Sequence, residues 1–417
     1  MAQKQLTIGL FGFGVVGEGL YRVLQQTPSL KATLKKVVIK NPGKKRNAPL
    51  ELFTTDRDQI LNDPEINVVV EVIDDSEAAF QIVSTALSNG KAVVSASKKM
   101  IAEHLPELLA LQQKTGQPFL YESAACASIP VIRNLEEYYD NDLLHSIKAI
   151  VNGSTNFILT KIFEEKLDFK QALILAQQLG FAESNPTLDV EGYDAVNKWS
   201  FLLTHAYGAI VHPNDLVFTG IQHIQPGDAV VAREKNFQIK LVAQAKKLLS
   251  GKVAAFVLPQ FVKPEDPLSF VKNEYNGVVI ESGFADKQFF YGKGAGSFPT
   301  ASAVLSDISA LRYEYRYEYK KLYHHQPLEI TTDFHIKAYL SFDEWKHIPR
   351  DDFNWIEEWH AESERKYLIA VFPFALLHSG TWWKENNVSL ILAPDPIIED
   401  VEVRQLKKKS LELAGIV

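Results

Sequence analysis

Three glycines near the start of the chain are the first residues whose spacing points to chemistry. They form the pattern Gly12-x-Gly14-x-x-Gly17, between an apolar segment and a segment with helical periodicity. In such a turn the first glycine permits a tight bend, the second lets the backbone approach a pyrophosphate, and the third lets the helix pack on the strand with its N-terminus facing the anion. The pattern predicts a dinucleotide site formed by these glycines with Val15 and Val16; the alternative is a purely structural glycine turn.

Basic residues after the second predicted strand bear on which dinucleotide would bind. NAD-specific sites usually place an acidic residue at the end of this strand, where it accepts a hydrogen bond from the ribose 2′-hydroxyl. Here Lys40 and Asn41 occupy that point, and Lys44, Lys45 and Arg46 follow. The lack of an acid and the four bases favour the 2′-phosphate of NADP over NAD. The alternative explanation is a solvated run of surface charge.

The first third of the sequence alternates short apolar segments with helical patterns. Strands are predicted at 6–11, 36–39, 67–73, 92–95 and 119–122, and helices at 16–26, 78–89 and 105–115. Continuous apolar strands separated by helices are typical of a parallel sheet that is covered on both faces. The predicted fold class is therefore α/β, with a doubly wound, Rossmann-type parallel sheet.

The pattern changes after residue 130 to a mixture of helices and strands. The prediction gives a strand at 148–151, helices at 156–165, 170–179 and 193–208, and a loop rich in acids and turn formers at 180–192. A glycine-rich stretch at 283–298 precedes a helix at 300–311. An aromatic-rich region begins near residue 326, with strands at 334–342, 366–374 and 388–392. We therefore expect a second α+β domain and a C-terminal α+β region.

Composition narrows the class of protein. The 417 residues are 46% hydrophobic and 23% charged, which is ordinary for a globular protein. A net charge of −7 argues against a nucleic-acid partner. No apolar run approaches the roughly 20 residues of a membrane span, and the N-terminus has no signal-peptide pattern, so we expect no membrane partner and a cytoplasmic location. The single cysteine, Cys126, excludes an intrachain disulfide.

Five later segments carry a family resemblance. They are KAVVSASK at 91–98, YESAACASIP at 121–130, NGSTN at 152–156, GFAESNP at 180–186 continuing through DVEGYD to Lys198, and GKGAG at 292–296 followed by Pro299, Thr300 and Asp307. In this order they resemble the homoserine dehydrogenases, over about residues 6–311. No aspartokinase-like region precedes the glycine turn, so the resemblance is to the monofunctional form.

The resemblance implies an activity and a division into domains. The reaction is the NAD(P)-dependent reduction of L-aspartate 4-semialdehyde, a small amino-acid aldehyde, to L-homoserine in threonine and methionine biosynthesis. Residues 1–130 with 290–315 would form the dinucleotide-binding domain, and 131–289 a substrate-binding domain that makes a homodimer or a larger homo-oligomer. We interpret 326–417 as a C-terminal domain that is a diverged ACT-like regulatory domain, a dimer-stabilising appendage or an interaction module.

Two lysines match the family motifs and suit the chemistry. Delivery of a hydride to an aldehyde leaves a negative oxygen, and a nearby lysine can supply both positive charge and a proton. The resemblance implies that Lys98 and Lys198 are catalytic, with the assignment of the two roles left open. Asp194 lies four residues before Lys198, so on a helix the two share a face and the carboxylate can orient the ammonium. The alternative is an ordinary surface pair of little energetic weight.

Further site residues follow from the same motifs. The resemblance implies that Glu183 meets the substrate ammonium, with Asp189 in the same acidic loop and Ser154 close to the substrate; the alternative for this loop is turn chemistry alone. Lys98 and Gly294 join the predicted cofactor contacts. The family also holds a monovalent cation, sodium or potassium, on backbone carbonyl oxygens, a ligand type that hard cations prefer. The matching positions are Glu122, Ala125, Ala127 and Ile129.

The departures from the family pattern lie around the cofactor segments. Glycines are replaced by Cys126 and Ser128 and by Asp74 and Asp75, an asparagine by Ser97, and a proline by Lys293. Side chains at glycine positions restrict positive φ angles and close ligand approach. Two alternatives are therefore kept. One is a non-catalytic or diverged NADP-binding relative, and the other is a dehydrogenase of a related amino-acid aldehyde or oxo acid.

Overall fold

The computed structural model describes residues 5–141, 143–361 and 366–403. Their contacts divide the chain into two compact units. The first comprises Met1–Asp142, Asn197–Pro213 and Gly292–Pro327, and the second Leu143–Val196, Asn214–Tyr291 and Leu328–Val417. The predicted C-terminal region therefore shares a unit with the middle of the chain, while its last residues, 404–417, lie outside the described part. No helix among the described residues is both long and apolar enough to cross a membrane.

A six-stranded parallel sheet forms the centre of the first unit. Its strands are β1 (Leu6–Phe11), β2 (Ala32–Val38), β3 (Phe53–Thr54), β4 (Val68–Glu71), β5 (Ala92–Ser95) and β6 (Phe119–Leu120). Their order is β3-β2-β1-β4-β5-β6, and every neighbouring pair is parallel. This is the strand order of a doubly wound nucleotide-binding fold, and it confirms the predicted fold class. β2 begins four residues before its predicted start, because its first residues are only half-buried and carry no continuous apolar signal.

The helices of the first unit follow the strands as a doubly wound fold requires. They are Val15–Gln26, Asp58–Leu61, Ser76–Ser88, Lys98–Thr115, Glu122–Cys126, Val131–Arg133, Ser297–Leu311, Lys320–Tyr323 and most of Tyr193–Tyr207. Ser297–Leu311 packs on Val15–Gln26, where a side chain at Gly19 would collide with Ser297. The helix after the glycine turn is thus held by a segment from almost 300 residues further along the chain.

The described part of the second unit contains a mixed sheet of eleven strands. They are β7 (Leu144–Ile150), β8 (Val217–Phe218), β9 (Gln238–Lys247), β10 (Val253–Val262), β11 (Tyr275–Ser282), β12 (Asp286–Lys293), β13 (Ile330–Thr331), β14 (His335–Phe342), β15 (Trp355–His360), β16 (Lys366–Pro373) and β17 (Ser389–Ile398). Their order is β12-β11-β7-β9-β10-β17-β14-β16-β15, and β8 and β13 also pair with β10. Helices Gly153–Glu164, Phe169–Gln178, Thr187–Val190, Pro226–Glu234, Ala375–Ser379 and Trp382–Glu385 belong to this unit.

The last four strands have a topology of their own. They run β17-β14-β16-β15 with all neighbours antiparallel, which is the order of a βαββαβ ferredoxin-like unit. The position of the first helix is taken by two short 3₁₀ turns, Trp345–His347 and Arg350–Asp352. This unit continues the sheet, because β17 pairs in parallel with β10. One apolar cluster contains Phe256 of β10 together with Leu340, Phe372 and Leu392 of the last strands.

Candidate active site

The glycine turn has the geometry that phosphate binding needs. Gly12 has a φ of 97°, in the region that side chains disfavour, and a Cβ atom there would lie 2.9 Å from the carbonyl oxygen of Val72. A Cβ atom on Gly17 would collide with the Gly12 carbonyl, whereas Gly14 has no atom within 4 Å of that position. Val15 is exposed at the first turn of a helix without a side-chain cap. This open turn therefore fits the pyrophosphate of a dinucleotide.

Exposed bases follow β2, as the sequence predicted. Asn41 closes a turn by accepting a hydrogen bond from the Gly43 N–H at 3.0 Å. Lys40, Lys44 and Lys45 are exposed, and none of the three forms an ion pair within the described parts of the chain. Arg46 is turned inward, with its guanidinium 5.5 Å from the centre of the Phe53 ring. Three ammonium groups are thus left for solvent or for an anion.

Two of the family departures have local structural roles. Glu71 ends β4 fully buried, and its carboxylate accepts hydrogen bonds from Ser95 Oγ at 2.6 Å, Ser97 Oγ at 2.8 Å and the Ile73 N–H at 2.7 Å. Burial raises the pKa of Glu71 despite these bonds. Asp75 caps the helix Ser76–Ser88 by accepting a hydrogen bond from the backbone of its third residue at 3.0 Å. Ser97 and Asp75 therefore order the segments at the carboxyl ends of β4 and β5.

Lys98, which is predicted to be a catalytic and cofactor-binding residue, lies in the first unit directly after the segment that Ser97 orders. It is the first residue of the helix Lys98–Thr115, immediately after Ser97, and it is exposed. Its neighbour in the prediction, Lys198, also belongs to the first unit by its contacts, although it lies 100 residues further along the chain. An exposed lysine at the carboxyl edge of a parallel sheet is placed where ligands of this fold class bind.

A buried charge cluster lies beside the predicted cation segment. The Glu122 carboxylate accepts hydrogen bonds from the Ile132 and Arg133 N–H groups at 2.8 and 2.9 Å. Asp307 accepts from the Glu122 N–H at 3.0 Å and pairs with the Arg133 guanidinium at 2.7 Å. Burial, reinforced by the charge of Asp307, raises the pKa of Glu122 to about 8, and burial raises the pKa of Asp307 to about 6. The cluster ties Glu122–Cys126, Val131–Arg133 and Ser297–Leu311 together.

The carbonyl groups predicted to hold a cation lie in a strained turn. Ala127 has φ 44° and ψ −104°, a conformation that glycine adopts far more easily. The carbonyl oxygens of Ala125 and Ala127 accept no hydrogen bond within the described residues, whereas that of Ile129 accepts one from the Val131 N–H at 2.9 Å. Two of the four predicted ligands are therefore available as they stand. Cys126 is completely buried, in keeping with its interpretation as a packing residue.

The late glycine-rich stretch is fastened to the same turn. Ser128 donates from its hydroxyl to the Lys293 carbonyl at 2.9 Å and from its N–H to the same oxygen at 3.3 Å. A side chain at Gly292 would press on the Ser128 hydroxyl. Gly294 follows β12 and precedes the helix that begins at Ser297. Ser128, which replaces a family glycine, thus takes part in a contact that its hydroxyl makes possible.

Asp194 and Lys198, which the sequence predicts to act together, lie on one continuous helix, Tyr193–Tyr207. Asp194 and Lys198 are 4% and 6% exposed, so neither is the solvated surface residue of the alternative interpretation. A buried lysine is rare unless it has partners or a function. The observed burial therefore favours a functional interpretation of this pair.

Asn152 joins two of the predicted site residues of the second unit, Asp189 and Asp194, to the start of the helix Gly153–Glu164. Its side-chain amide donates to the carboxylates of Asp189 at 2.7 Å and Asp194 at 2.8 Å. Its carbonyl oxygen accepts from the Thr155 N–H at 2.8 Å and so caps the helix Gly153–Glu164. Asn152 belongs to the NGSTN motif but was not among the predicted site residues, and its signal in the sequence is an asparagine at the N-cap position of a helix.

Ser154 and Glu183 are placed differently with respect to the acidic loop, since Ser154 lies in the helix Gly153–Glu164 and Glu183 in the loop itself. The Ser154 hydroxyl donates to the Phe181 carbonyl at 2.5 Å, which holds the loop against the start of the helix Gly153–Glu164. Glu183 is exposed, and its backbone carbonyl accepts from the Gln177 side chain at 2.9 Å. The structure therefore brings Ser154, Asp189 and Asp194 to one helix N-terminus, with the Glu183 side chain directed to solvent.

A second feature that sequence reasoning missed holds the C-terminal end of the helix Tyr193–Tyr207. His205, in its last turn, contacts the Glu136 carboxylate at 2.5 Å through Nδ1 and the Tyr121 hydroxyl at 2.8 Å through Nε2. The Tyr121 hydroxyl is also 2.9 Å from that of Tyr319, whose N–H donates to Glu136 at 3.0 Å. Burial acts to raise the pKa of Glu136, but His205 and two backbone N–H groups together lower it. This closed, buried ring fixes the helix seven residues beyond Lys198.

Family comparisons agree with these local observations. A family model described as homoserine dehydrogenase, NAD binding domain, matches residues 12–122, and one described as homoserine dehydrogenase matches residues 130–309. Homoserine dehydrogenases of Bacillus subtilis and Synechocystis sp. are each 37% identical to this chain, over 317 and 311 residues. These matches cover 74% and 72% of this chain and 73% and 72% of the relatives.

Solved structures extend the likeness. A homoserine dehydrogenase from Thiobacillus denitrificans matches with a TM-score of 0.80 and 25% identity, over 94% of this chain and 98% of its own. A hyperthermophilic archaeal homoserine dehydrogenase in complex with NADPH matches with a TM-score of 0.63 and 26% identity, over 75% of this chain and 99% of its own. Ordered motifs, strand order and relatives all agree, and the chain belongs to the homoserine dehydrogenase family.

Proposed function

We propose that this homoserine dehydrogenase, an oxidoreductase, reduces L-aspartate 4-semialdehyde to L-homoserine with NADPH as its reductant and Lys198 and Lys98 as its catalytic lysines. The observation that carries the proposal is the burial of Lys198 on the same helix as Asp194, whose carboxylate is held by Asn152. Neither a non-catalytic relative nor an enzyme for another aldehyde or oxo acid is favoured by the family matches.

The proposed reaction transfers one hydride and one proton to the aldehyde. The first unit would hold the dinucleotide, whose nicotinamide would supply the hydride that the aldehyde carbon accepts. One lysine ammonium donates a proton to the developing alkoxide, and the other stabilises its negative charge before the transfer. Asp194 lies four residues earlier on the same helix, where its carboxylate can orient the Lys198 ammonium. Glu183, Asp189 and Ser154 are proposed to bind the ammonium and hydroxyl or carbonyl groups of the substrate.

Substitution of the buried lysine tests this mechanism. Lys198→Ala should lower kcat by at least about a hundredfold, since loss of a positioned general acid costs about 10² to 10⁴ in rate. Lys170→Ala, an exposed helical lysine in the same chain, is the matched control and should leave kcat unchanged. The thermal transition of each variant would show that the fold is retained. Near-normal turnover by folded Lys198→Ala protein would refute the assignment.

A preference for NADPH is supported by the exposed bases after β2 and by the lack of an acid there. The archaeal relative that was solved with NADPH is consistent with this choice. Lys40→Glu should lower kcat/KM for NADPH while leaving kcat/KM for NADH unchanged or higher. Lys287→Glu, an exposed lysine on β12, provides the control for a general change in charge. A clear preference of the wild-type protein for NADH would overturn the proposal.

A monovalent cation is proposed for the turn at Ala125 and Ala127, because two carbonyl oxygens there accept no hydrogen bond among the described residues. Such a cation would supply positive charge that fixes this turn. The backbone carbonyl oxygens of Glu122 and Ile129 are the other two proposed ligands. Activity and thermal stability should both rise when sodium or potassium replaces tetramethylammonium at equal ionic strength. Equal values in all three salts would exclude the site.

Two properties of the second unit and one of the whole chain complete the proposal. Exposed aromatic residues, Phe284, Phe289 and Tyr291, lie on and beside β12 and support a homodimer or larger homo-oligomer, which sedimentation equilibrium would measure. The βαββαβ order of the last strands supports a diverged ACT-like regulatory domain, for which a threonine titration of activity is the direct test. The cytoplasmic location remains a prediction from the sequence.

A further inference from the structure

A cavity of about 250 Å³ lies within the second unit, among residues that none of the proposed catalytic roles uses. Its walls come from the C-terminal half of the helix Gly153–Glu164, the end of the helix Pro226–Glu234, the start of β9 and Lys272. A water molecule occupies about 30 Å³ in the liquid, so the cavity has room for a small organic molecule.

Lys240 is the unusual member of this lining. Its side chain is 2% exposed, and its ammonium donates to Asn156 Oδ1 at 3.1 Å and to the Val271 carbonyl at 2.6 Å. Within the described residues it forms no ion pair with a carboxylate. The third ammonium hydrogen has no assigned acceptor, and burial lowers the pKa of Lys240 to about 7. A buried ammonium without a counter-charge is costly, and an anion in the cavity would offset that cost.

The other charged groups of the cavity add to the positive balance. Arg233 lies with its guanidinium 5.5 Å from the centre of the Phe163 ring and donates one hydrogen bond to the Ile162 carbonyl at 3.0 Å. Lys272 pairs with Glu164 at 2.6 Å. The lining therefore holds three cationic side chains and one carboxylate. An arginine with free N–H groups beside a lysine is a favourable arrangement for a carboxylate.

The uncharged residues of the cavity indicate what kind of group accompanies the negative charge of a ligand. Leu159, Phe163, Phe237 and Ile239 supply apolar surface next to the cationic groups. Apolar walls with a few convergent polar groups are typical of small-molecule sites. We propose that this cavity binds a small organic carboxylate of three to five carbons, with its carboxylate at Lys240 and Arg233 and its carbon chain against the aromatic walls. This site is independent of the proposed catalytic residues and does not rest on their roles.

Succinate is a suitable probe, and isothermal titration calorimetry at constant ionic strength is a suitable assay. Variants of Lys240 and Arg233, which line this cavity and have no role in the proposed substrate site, separate binding here from binding at the substrate site. We expect one succinate per chain and at least a tenfold weaker Kd in Lys240→Met and in Arg233→Gln. Lys170→Gln, outside the cavity, should bind as the wild type does. Succinamide, which has the same carbon skeleton without charge, should not bind.

Protonation of Lys240 on binding also provides a measurable signal that a site formed by surface lysines would not give. The other charged residues of the cavity are Arg233, Lys272 and Glu164. A carboxylate added beside Lys240 favours the protonated form of its amine. Succinate binding at pH 8 should therefore take up protons, measured in buffers of different ionisation enthalpy, and Lys240→Met should abolish this uptake. If Lys240→Met does not fold, Arg233→Gln and the more exposed Lys272→Gln carry the test.

Several results would overturn the inference. They are the absence of succinate binding to the wild type, equal binding by succinamide, and unchanged affinity in folded Arg233→Gln and Lys272→Gln. Inorganic phosphate that binds more tightly than succinate, with the same sensitivity to the cavity variants, would show an inorganic-anion pocket and refute the organic carboxylate.

Discussion

Asn152 allows the sharpest test of how the acidic residues are held. We consider Asn152→Ser, which keeps an N-cap side chain for the helix Gly153–Glu164 but removes the amide that donates to Asp189 and Asp194. Serine and asparagine are about equally good N-caps. The variant therefore isolates the two hydrogen bonds to carboxylates, whereas Asn152→Ala removes the cap as well.

The magnitude follows from the burial of the two acceptors. A hydrogen bond to a charged group contributes about 1.5 to 3 kcal/mol, and Asp194 is 4% exposed, so its bond should lie in that range. Asp189 is only half-buried, and its bond should contribute about 1 kcal/mol. Asn152→Ser should therefore reduce the free energy of unfolding by about 3 kcal/mol, and Asn152→Ala by about 1 kcal/mol more through the lost cap.

Urea unfolding followed by circular dichroism measures these changes, and kcat/KM for the aldehyde measures their effect on the site. Asn62→Ser, at an exposed asparagine of the first unit, is the matched control and should change neither quantity. We expect kcat/KM to fall at least tenfold in Asn152→Ser, since the Asp194 carboxylate loses its fixed position. A folded Asn152→Ser protein with wild-type stability and wild-type kcat/KM would refute the reasoning.

Three further predictions concern strain, the buried ring and pH. Ala127→Gly should raise the free energy of unfolding by about 1 kcal/mol, because a φ of 44° with ψ −104° costs alanine more than glycine; an unchanged or lower thermal transition would contradict this. Tyr121→Phe leaves His205 and Tyr319 without their shared partner. The variant should lower the free energy of unfolding by about 1 to 3 kcal/mol, measured by urea unfolding. A loss below about 0.5 kcal/mol, the size expected of a surface substitution, would contradict a stabilising role of the ring. Since burial lowers the Lys240 pKa from 10.5 to about 7, the unfolded chain binds more protons between these values and stability should rise with pH in that window. Urea titrations at pH 7 and pH 9 should show this rise in the wild type and a smaller one in Lys240→Met; equal slopes would argue that Lys240 is not the group responsible.

The first unit was largely predictable from the sequence. Apolar segments that are buried on both faces, such as β4, leave an unbroken hydrophobic signal, and Gly12 and Gly17 mark the turn that only glycine can make. These are local signals, and the doubly wound fold has few ways to arrange strands that alternate with helices. β2 was less predictable because most of it is only half-buried and Thr33, Lys35 and Lys36 interrupt its apolar residues.

The features that escaped prediction depend on contacts between distant residues. Tyr121 and Tyr319 are 198 residues apart, and neither residue differs in type or periodicity from ordinary core aromatics. Lys240 lies in a strand whose pattern indicates burial but not what its ammonium meets. Asn152 was visible as part of a motif, but its two carboxylate partners lie 37 and 42 residues further on and become neighbours only through the fold. The roles proposed for all the predicted site residues, Lys98 and Lys198 included, remain predictions.

The pairing of β17 with β10 limits how this chain could be shortened. A protein cut after residue 327 would lose β13 and β17, which pair with β10 at its start and at Gln260. Among the described strands only β8, at Phe256, would still cover that edge of β10, and the shared apolar cluster would lose the side chains of the last strands. Such an uncovered strand is a template for association with other chains. The C-terminal segment is therefore not a detachable accessory, and truncated forms of this protein should be recovered as insoluble aggregates rather than as a smaller working enzyme.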